Sequence, residues 1–191
     1  LTSNLMKIIK FLFKVALAMI LIFFVLAFFG EKTYQVKRSI VIKSNAQIVW
    51  EQVSNYSNWP NWSPWQENDP TVANQFFGVP GTTEHSMSWI GDKDLSGTGN
   101  MKITSIDPNK SLDYLLTFEV PFAMHSDGGM TLTEKNGETT LTWFDKGDIP
   151  FIMRPFMVFM DLEGQIAPDF ERGLFKIDSL VRLQKVNQIL K

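Results

Sequence analysis

Residues 151–183 read FIMRPFMVFMDLEGQIAPDFERGLFKIDSLVRL. From Leu162 the apolar residues Ile166, Phe170, Leu174, Ile177 and Val181 recur at steps of three or four, so they share one stripe of a long helix. A stripe of this kind needs a surface to lie against. The surface is supplied upstream, where roughly six short alternating segments between Tyr34 and Asp148 have strand character and turn signals between them. Pro168 lacks an amide hydrogen and its ring crowds the carbonyl of Gly164, which predicts a kink or a short break. Phe156, Met157, Phe159 and Met160 are bulky and deformable, as residues facing an irregular cavity often are; ordinary core packing is the alternative.

The hairpin that precedes this helix is the clearest local prediction. Asn136-Gly137 is the preferred pair for a two-residue type I′ turn, which sets Lys135 opposite Glu138. The register then pairs Leu132 with Leu141, Met130 with Trp143 and Gly128 with Asp145 on the inner face. On the outer face it pairs Thr133 with Thr140, Thr131 with Thr142, Asp127 with Lys146 and His125 with Asp148. A slip of one residue would invert every pair. Three further segments carry one apolar face each: Met87 and Trp89; Gly97, Gly99, Met101 and Ile103; Leu112, Tyr114, Leu116 and Phe118. Asp107-Pro108-Asn109-Lys110 is a turn between the last two. The region from Trp65 to Thr83, broken by Pro70, Pro80 and Gly81, is expected to be a loop over a cavity mouth.

At the other end, Lys7, Lys10 and Lys14 precede an unbroken apolar run from Val15 to Phe29. As a helix, residues 8–29 would rise about 33 Å, enough to cross a bilayer. The lysines place the N-terminus in the cytoplasm and the following domain on the extracytoplasmic, periplasmic side. A cleaved signal peptide is the competing reading, opposed by Ala27-Phe28-Phe29-Gly30-Glu31, which puts Phe where a cleavage site needs a small residue. The predicted organisation is a cytoplasmic stub at 1–7, a transmembrane anchor at 8–29, a tether at 30–33, one domain at 34–185 and a tail at 186–191.

Composition narrows the function classes. A net charge of −2 and a pI near 5.7, with the charges scattered, offer no face for nucleic acid. With no cysteine among 191 residues, disulfides, thiolate nucleophiles and cysteine-based zinc sites are excluded. Two histidines without metal-ligand spacing predict no metal site. No cofactor is expected. Six Trp and 16 Phe in a chain of this size call for a large apolar interior or an apolar ligand.

Between Tyr34 and Trp65 the chain runs from a first strand, Tyr34 to Lys43, into Ser44-Asn45-Ala46-Gln47, a capping box opening a helix through Val53 with Ile48, Val49 and Val53 inward. It then enters Asn55-Tyr56-Ser57-Asn58-Trp59-Pro60-Asn61-Trp62-Ser63-Pro64-Trp65, which two prolines bar from being one regular helix. These residues, with Val49-Trp50, Gly97-Thr98-Gly99, Thr140 to Trp143 and Phe170 to Leu174, resemble the polyketide cyclase/dehydrase-like branch of the SRPBCC (START-like) superfamily over about Tyr34 to Lys185. The resemblance implies an α+β helix-grip fold, a curved antiparallel sheet around a long C-terminal helix with a cavity between them, here preceded by a single transmembrane helix. The expected cavity lining is Trp62, Trp65, Met87, Trp89, Tyr114, Leu116, Phe118, Met130, Trp143, Phe156, Met160 and Phe170.

Two functions from different classes follow. One is an anchored domain binding a hydrophobic small molecule or lipid. The other is a cyclase or dehydratase-type enzyme, which the family name suggests and no motif independently supports, with Asp145, His85 and Tyr114 as candidate acid, base or anchor. Asp145 follows Leu141 and Trp143 on the inner face; it is either a partnered carboxylate in the cavity or a strand-end residue at a wet rim. A role as a partner of another envelope protein is the third option.

Overall fold

The computed structural model describes residues 2–121 and 123–189, which divide into two compact units. One consists of the chain up to Tyr34 together with Asp148–Leu162; the other runs from Gln35 to Gly147 and from Glu163 onward. Residues 148–162, expected inside the sheet domain, therefore group with the N-terminal helix.

In the first unit, helix α1 (Thr2–Phe29) contains a 26-residue apolar stretch, Asn4–Phe29, with mean hydropathy 2.8. At 1.5 Å per residue it rises about 39 Å, more than a bilayer core requires. The expected stub is thus helical from residue 2, and Leu1 lies outside the described residues. Gly30 closes the helix by donating to the Leu26 carbonyl at 2.8 Å. Beside this end lies the segment following Asp148, which holds one short helix, α4 (Arg154–Met157). Its Phe156 and Phe151 rings meet those of Phe23 and Phe24 at 6.4 and 6.3 Å.

The second unit is built on a seven-stranded antiparallel sheet: β1 (Thr33–Ile42), β2 (Ala73–Phe77), β3 (Ser86–Ile90), β4 (Thr98–Asp107), β5 (Ser111–Val120), β6 (Met124–Lys135) and β7 (Glu138–Asp148), in the order β1-β7-β6-β5-β4-β3-β2. The hairpin forms in the expected register from Lys135–Glu138 to Ser126–Gly147, with Asn136 and Gly137 at φ 55° and 77°. The described rungs stop one short of the expected His125–Asp148 pair, and both residues are exposed. The Asp107–Lys110 turn also forms, with Lys110 donating to the Asp107 carbonyl at 3.0 Å and Asn109 at φ 65°. Strand β2 stands where a loop is expected, and α3 (Pro64–Asn68) precedes it. Ala-Asn-Gln-Phe-Phe does not alternate, because β2 is the sheet's last strand and has no buried face to specify.

Helix α2 (Ala46–Val53) begins one residue later than a Ser44 cap would require. Asn45 is the cap, its side chain accepting from the Ile48 amide at 3.1 Å, and Trp50 rather than Ile48 joins Val49 and Val53 in the core. Helix α5 (Leu162–Ile189) starts later than Phe151, passes Pro168 without a break and continues through residues 186–189 of the expected tail; 190–191 lie outside the described residues. Its stripe of Ala167, Phe170, Leu174, Ile177 and Val181 is buried, and the larger four contribute about 1.5–3 kcal/mol each. Arg38, on the inner side of β1 with Val36 and Ile42, reaches Glu163 and Glu171 of α5 at 2.9 and 2.8 Å.

Candidate functional site

The aromatic segment after α2 has a local logic that starts with backbone carbonyls. The last carbonyls of a helix lack intrahelical donors. Here Asn58 Nδ2 donates to Glu51 O at 2.7 Å, Trp62 Nε1 to Gln52 O at 3.2 Å and Trp59 Nε1 to Val53 O at 2.9 Å. The short 3₁₀ helix Tyr56–Asn61, capped by Asn55 and tightened by Pro60, brings these three donors back over the end of α2. Two indoles are thereby fixed by their polar edges, and their faces are free to pack inward.

They join a continuous ring cluster. Trp59 and Trp62 lie 4.6 Å apart, Trp62 meets Trp143 of β7 edge-on at 5.4 Å, and Trp143 stacks on Phe170 of α5 at 4.1 Å and 12°. Trp65 touches Trp143 and Phe170 at 5.8 and 6.2 Å. Trp143 Nε1 donates to the Tyr114 hydroxyl at 2.8 Å. Glycines seat the rings: a Cβ on Gly128 would fall 2.3 Å from Tyr114 ring carbons, and one on Gly173 would fall 2.9 Å from Trp143. Trp62, Tyr114, Met130, Trp143 and Phe170 are thus packed core rather than lining of an open space, and Trp65 is half-buried at the edge. Phe156 and Met160, 53% and 42% exposed, belong to the other unit.

The inner face continues past this cluster along β3 to β6. Trp89 sits over Gly99, donates to the Ser96 carbonyl at 3.0 Å and meets Phe118 edge-on at 5.4 Å. The pairs Met87–Met101, Leu116–Met101 and Phe118–Met124 keep these side chains on one face. Met87, Leu116 and Phe118 are half-buried and Met124 is 41% exposed, so an apolar strip of the concave face remains open. At its edge Asp145 is buried, and its carboxylate accepts from Ser126 Oγ at 3.0 Å. Asp145 is therefore not a water-washed rim residue. Two hollows lie elsewhere: about 500 Å³ between Gln52, Asn58, Asn61, Leu180 and Gln184, and about 270 Å³ on the sheet around Asp113, Asp127, Phe144 and Lys146.

The remaining candidates have structural duties. His85 is buried, accepts from the Tyr56 amide at Nε2 (2.9 Å) and places Nδ1 2.9 Å from the Phe77 carbonyl, which fixes the Nδ1–H tautomer and occupies both nitrogens. Its ring stacks on Tyr56 at 4.9 Å. Tyr114 holds the Trp143 indole. Two features were missed from sequence. Asp69 is fully shielded and accepts from Thr71 Oγ1 and N, the Asp92 amide and Ser96 Oγ, so these hydrogen bonds, that from Ser96 foremost, lower its pKa from 3.8 to about 2. The Tyr56 hydroxyl is buried without a partner, and burial raises its pKa well above 10.0. An isolated Asp in a loop and a Tyr in an aromatic run carry no signal of either. No group of three or more His, Cys, Asp or Glu is placed to hold a metal among the described residues.

A sheet that grips one long helix, with an aromatic cluster at one end of its concave side and an open apolar strip at the other, defines a helix-grip fold of the kind that binds small molecules. The chain belongs to the family described as polyketide cyclase/dehydrase and lipid transport, whose sequence model matches residues 33–181. Solved structures share the fold. The Zhui aromatase/cyclase of a Streptomyces species aligns at 13% identity and TM-score 0.58, covering 78% of this chain and 94% of its own. A hypothetical protein from Helicobacter pylori aligns at 7% identity and TM-score 0.61, covering 80% and 90%. A protein from Mesorhizobium loti aligns at 18% identity and TM-score 0.56, covering 79% and 97%. No curated protein matches the chain.

Proposed function

We propose that this chain is a membrane-anchored domain that holds a hydrophobic small molecule or lipid against the concave face of its sheet. The observation that carries the reading is the strip of Met87, Leu116, Phe118 and Met124, apolar side chains on the inner face of which three are only half-buried and Met124 is 41% exposed. Apolar surface left on a concavity gains free energy by burying an apolar ligand, at about 25 cal/mol per Å². The buried Ser126–Asp145 pair would orient a polar end. The apolar helix α1 supports retention in a membrane, and Lys7, Lys10 and Lys14 support a cytoplasmic N-terminus with the domain on the periplasmic side.

Native mass spectrometry of the full chain in nanodiscs, followed by organic extraction, tests this reading. Wild type should carry an apolar mass beyond the bulk lipid, and Leu116→Arg should lose it. Equal yields from both would remove the strip as the site. The same buried carboxylate favours a second reading, a cyclase-type enzyme using Asp145 as general base. That reading requires Asp145→Asn to abolish turnover of a bound compound while leaving the bound mass in place.

A further inference from the structure

Residues 149–160 read IPFIMRPFMVFM, with Arg154 as the only charge between Asp148 and Asp161. Phe159 is 83% exposed, Ile152 64%, Val158 54% and Phe156 53%. A contiguous exposed apolar patch of this kind marks a surface that is covered by something else. Helix α1, in the same unit, serves as a depth gauge for what covers it. Arg154 lies beside Gly30, where an added Cβ would fall 3.1 Å from the Arg154 Cβ and 3.3 Å from its carbonyl oxygen. Gly30 is the first residue after the apolar run, so Arg154 is level with its polar end. Phe151 and Phe156 are level with Phe24 and Phe23, about 9 Å further along the run at 1.5 Å per residue. The segment thus repeats the polarity order of the helix it touches, with its one cation at the boundary and its rings on the apolar side. The guanidinium stays near that boundary because Arg154 Nε donates to the Ile149 carbonyl at 3.1 Å and the group lies 5.6 Å from the centre of the Phe151 ring.

We infer that residues 149–160 form a second membrane element, a monotopic wedge. It sinks Ile152, Phe156, Val158 and Phe159 into the headgroup and acyl boundary beside α1 and leaves Arg154 among the lipid phosphates. Interfacial elements bury their apolar side about 5–10 Å, which agrees with the depth read from the helix. The inference rests on α1 being a retained span, and the test separates the two claims.

The chain has no cysteine, so single-cysteine labelling is clean. The full chain, carrying an environment-sensitive fluorophore at one of Phe13→Cys, Ile152→Cys, Phe159→Cys or Lys135→Cys, is placed in nanodiscs of phosphatidylethanolamine and phosphatidylglycerol. Each label is then quenched by lipid-borne nitroxide and by aqueous iodide. The wedge predicts lipid quenching and iodide protection at Ile152→Cys and Phe159→Cys, as at Phe13→Cys, with the reverse at Lys135→Cys. Iodide access at Ile152→Cys and Phe159→Cys, with lipid quenching at Phe13→Cys, overturns the wedge and leaves the anchor standing. Loss of lipid quenching at Phe13→Cys overturns both. Using two wedge positions guards against a label that disturbs its own surroundings, since agreement between them is required.

Discussion

Gly128→Ala tests whether the inner face is filled or hollow at its centre. The new Cβ would fall 2.3 Å from two Tyr114 ring carbons and 2.4 Å from its hydroxyl oxygen, distances that carbon contacts do not tolerate. Tyr114 is 2% exposed, so its ring has no solvent-side room, and moving it pulls the hydroxyl away from the Trp143 indole nitrogen 2.8 Å away. Overpacking a close-packed core costs about 1–3 kcal/mol, and weakening one buried hydrogen bond about 1 more, giving about 2–4 kcal/mol. The assay is denaturant unfolding of the full chain in detergent, followed by tryptophan fluorescence and repeated for Tyr114→Leu and the double variant. Tyr114→Leu alone should cost about 2–4 kcal/mol through its cavity and the stranded indole N–H. In that background the added methyl has space, and the cycle should return a coupling of about 1–3 kcal/mol. If Gly128→Ala costs less than about 0.5 kcal/mol and shows no coupling, the ring does not rest on the sheet. Free volume would then lie between Tyr114 and the sheet, as a cavity under α5 requires.

Three further outcomes follow. Tyr56→Phe removes a buried hydroxyl with no partner and should raise unfolding stability by about 1 kcal/mol, read by the same denaturation curve. His85→Phe leaves the Tyr56 amide and the Phe77 carbonyl unpaired and should lower stability by about 2–4 kcal/mol, while ligand carried per folded molecule, read by native mass spectrometry, stays unchanged. Asp69 has its carboxyl pKa lowered from 3.8 to about 2, so its contribution is complete above 3.8 and is lost as pH falls from there towards 2. An acid titration of the unfolding midpoint should therefore show a steeper loss in that window for wild type than for Asp69→Asn.

The fold was legible where one physical requirement left one solution. The Asn136-Gly137 turn fixed a register because only a primed turn suits the strand twist, and Phe170, Leu174, Ile177 and Val181 of the helix stripe followed from its period, although Ala167 rather than the expected Ile166 is buried at its start. Strand β2 was illegible because an edge strand without a buried face needs no alternation. The strand aromatics Trp89, Tyr114, Phe118 and Trp143 share one face as their alternation predicts, yet their depth was not readable. Trp143 and Phe170 could equally have lined a void, and only their 4.1 Å stack shows that they fill it. Parity put Asp145 inward, but its hydrogen bond from Ser126 across the hairpin carried no signal in the sequence. His85 was a candidate because it shares parity with Met87 and Trp89; the backbone partners from Tyr56 and Phe77 that engage both its ring nitrogens carried no signal in the sequence. Residues 148–162 group with α1 rather than with the sheet, a division that their apolar composition does not signal.

Gly99 under Trp89, Gly128 under Tyr114 and Gly173 under Trp143 each exchange a missing side chain for a large ring. In the history of such a sequence these positions cannot drift alone. A side chain gained at the glycine must coincide with a smaller residue at the ring, or arrive after it, so each pair moves along a narrow path in which the ring shrinks first. Distant members of the family that lack one of these glycines should accordingly lack its ring, and an alignment deep enough to count the four combinations would show the glycine-lost, ring-kept class nearly empty.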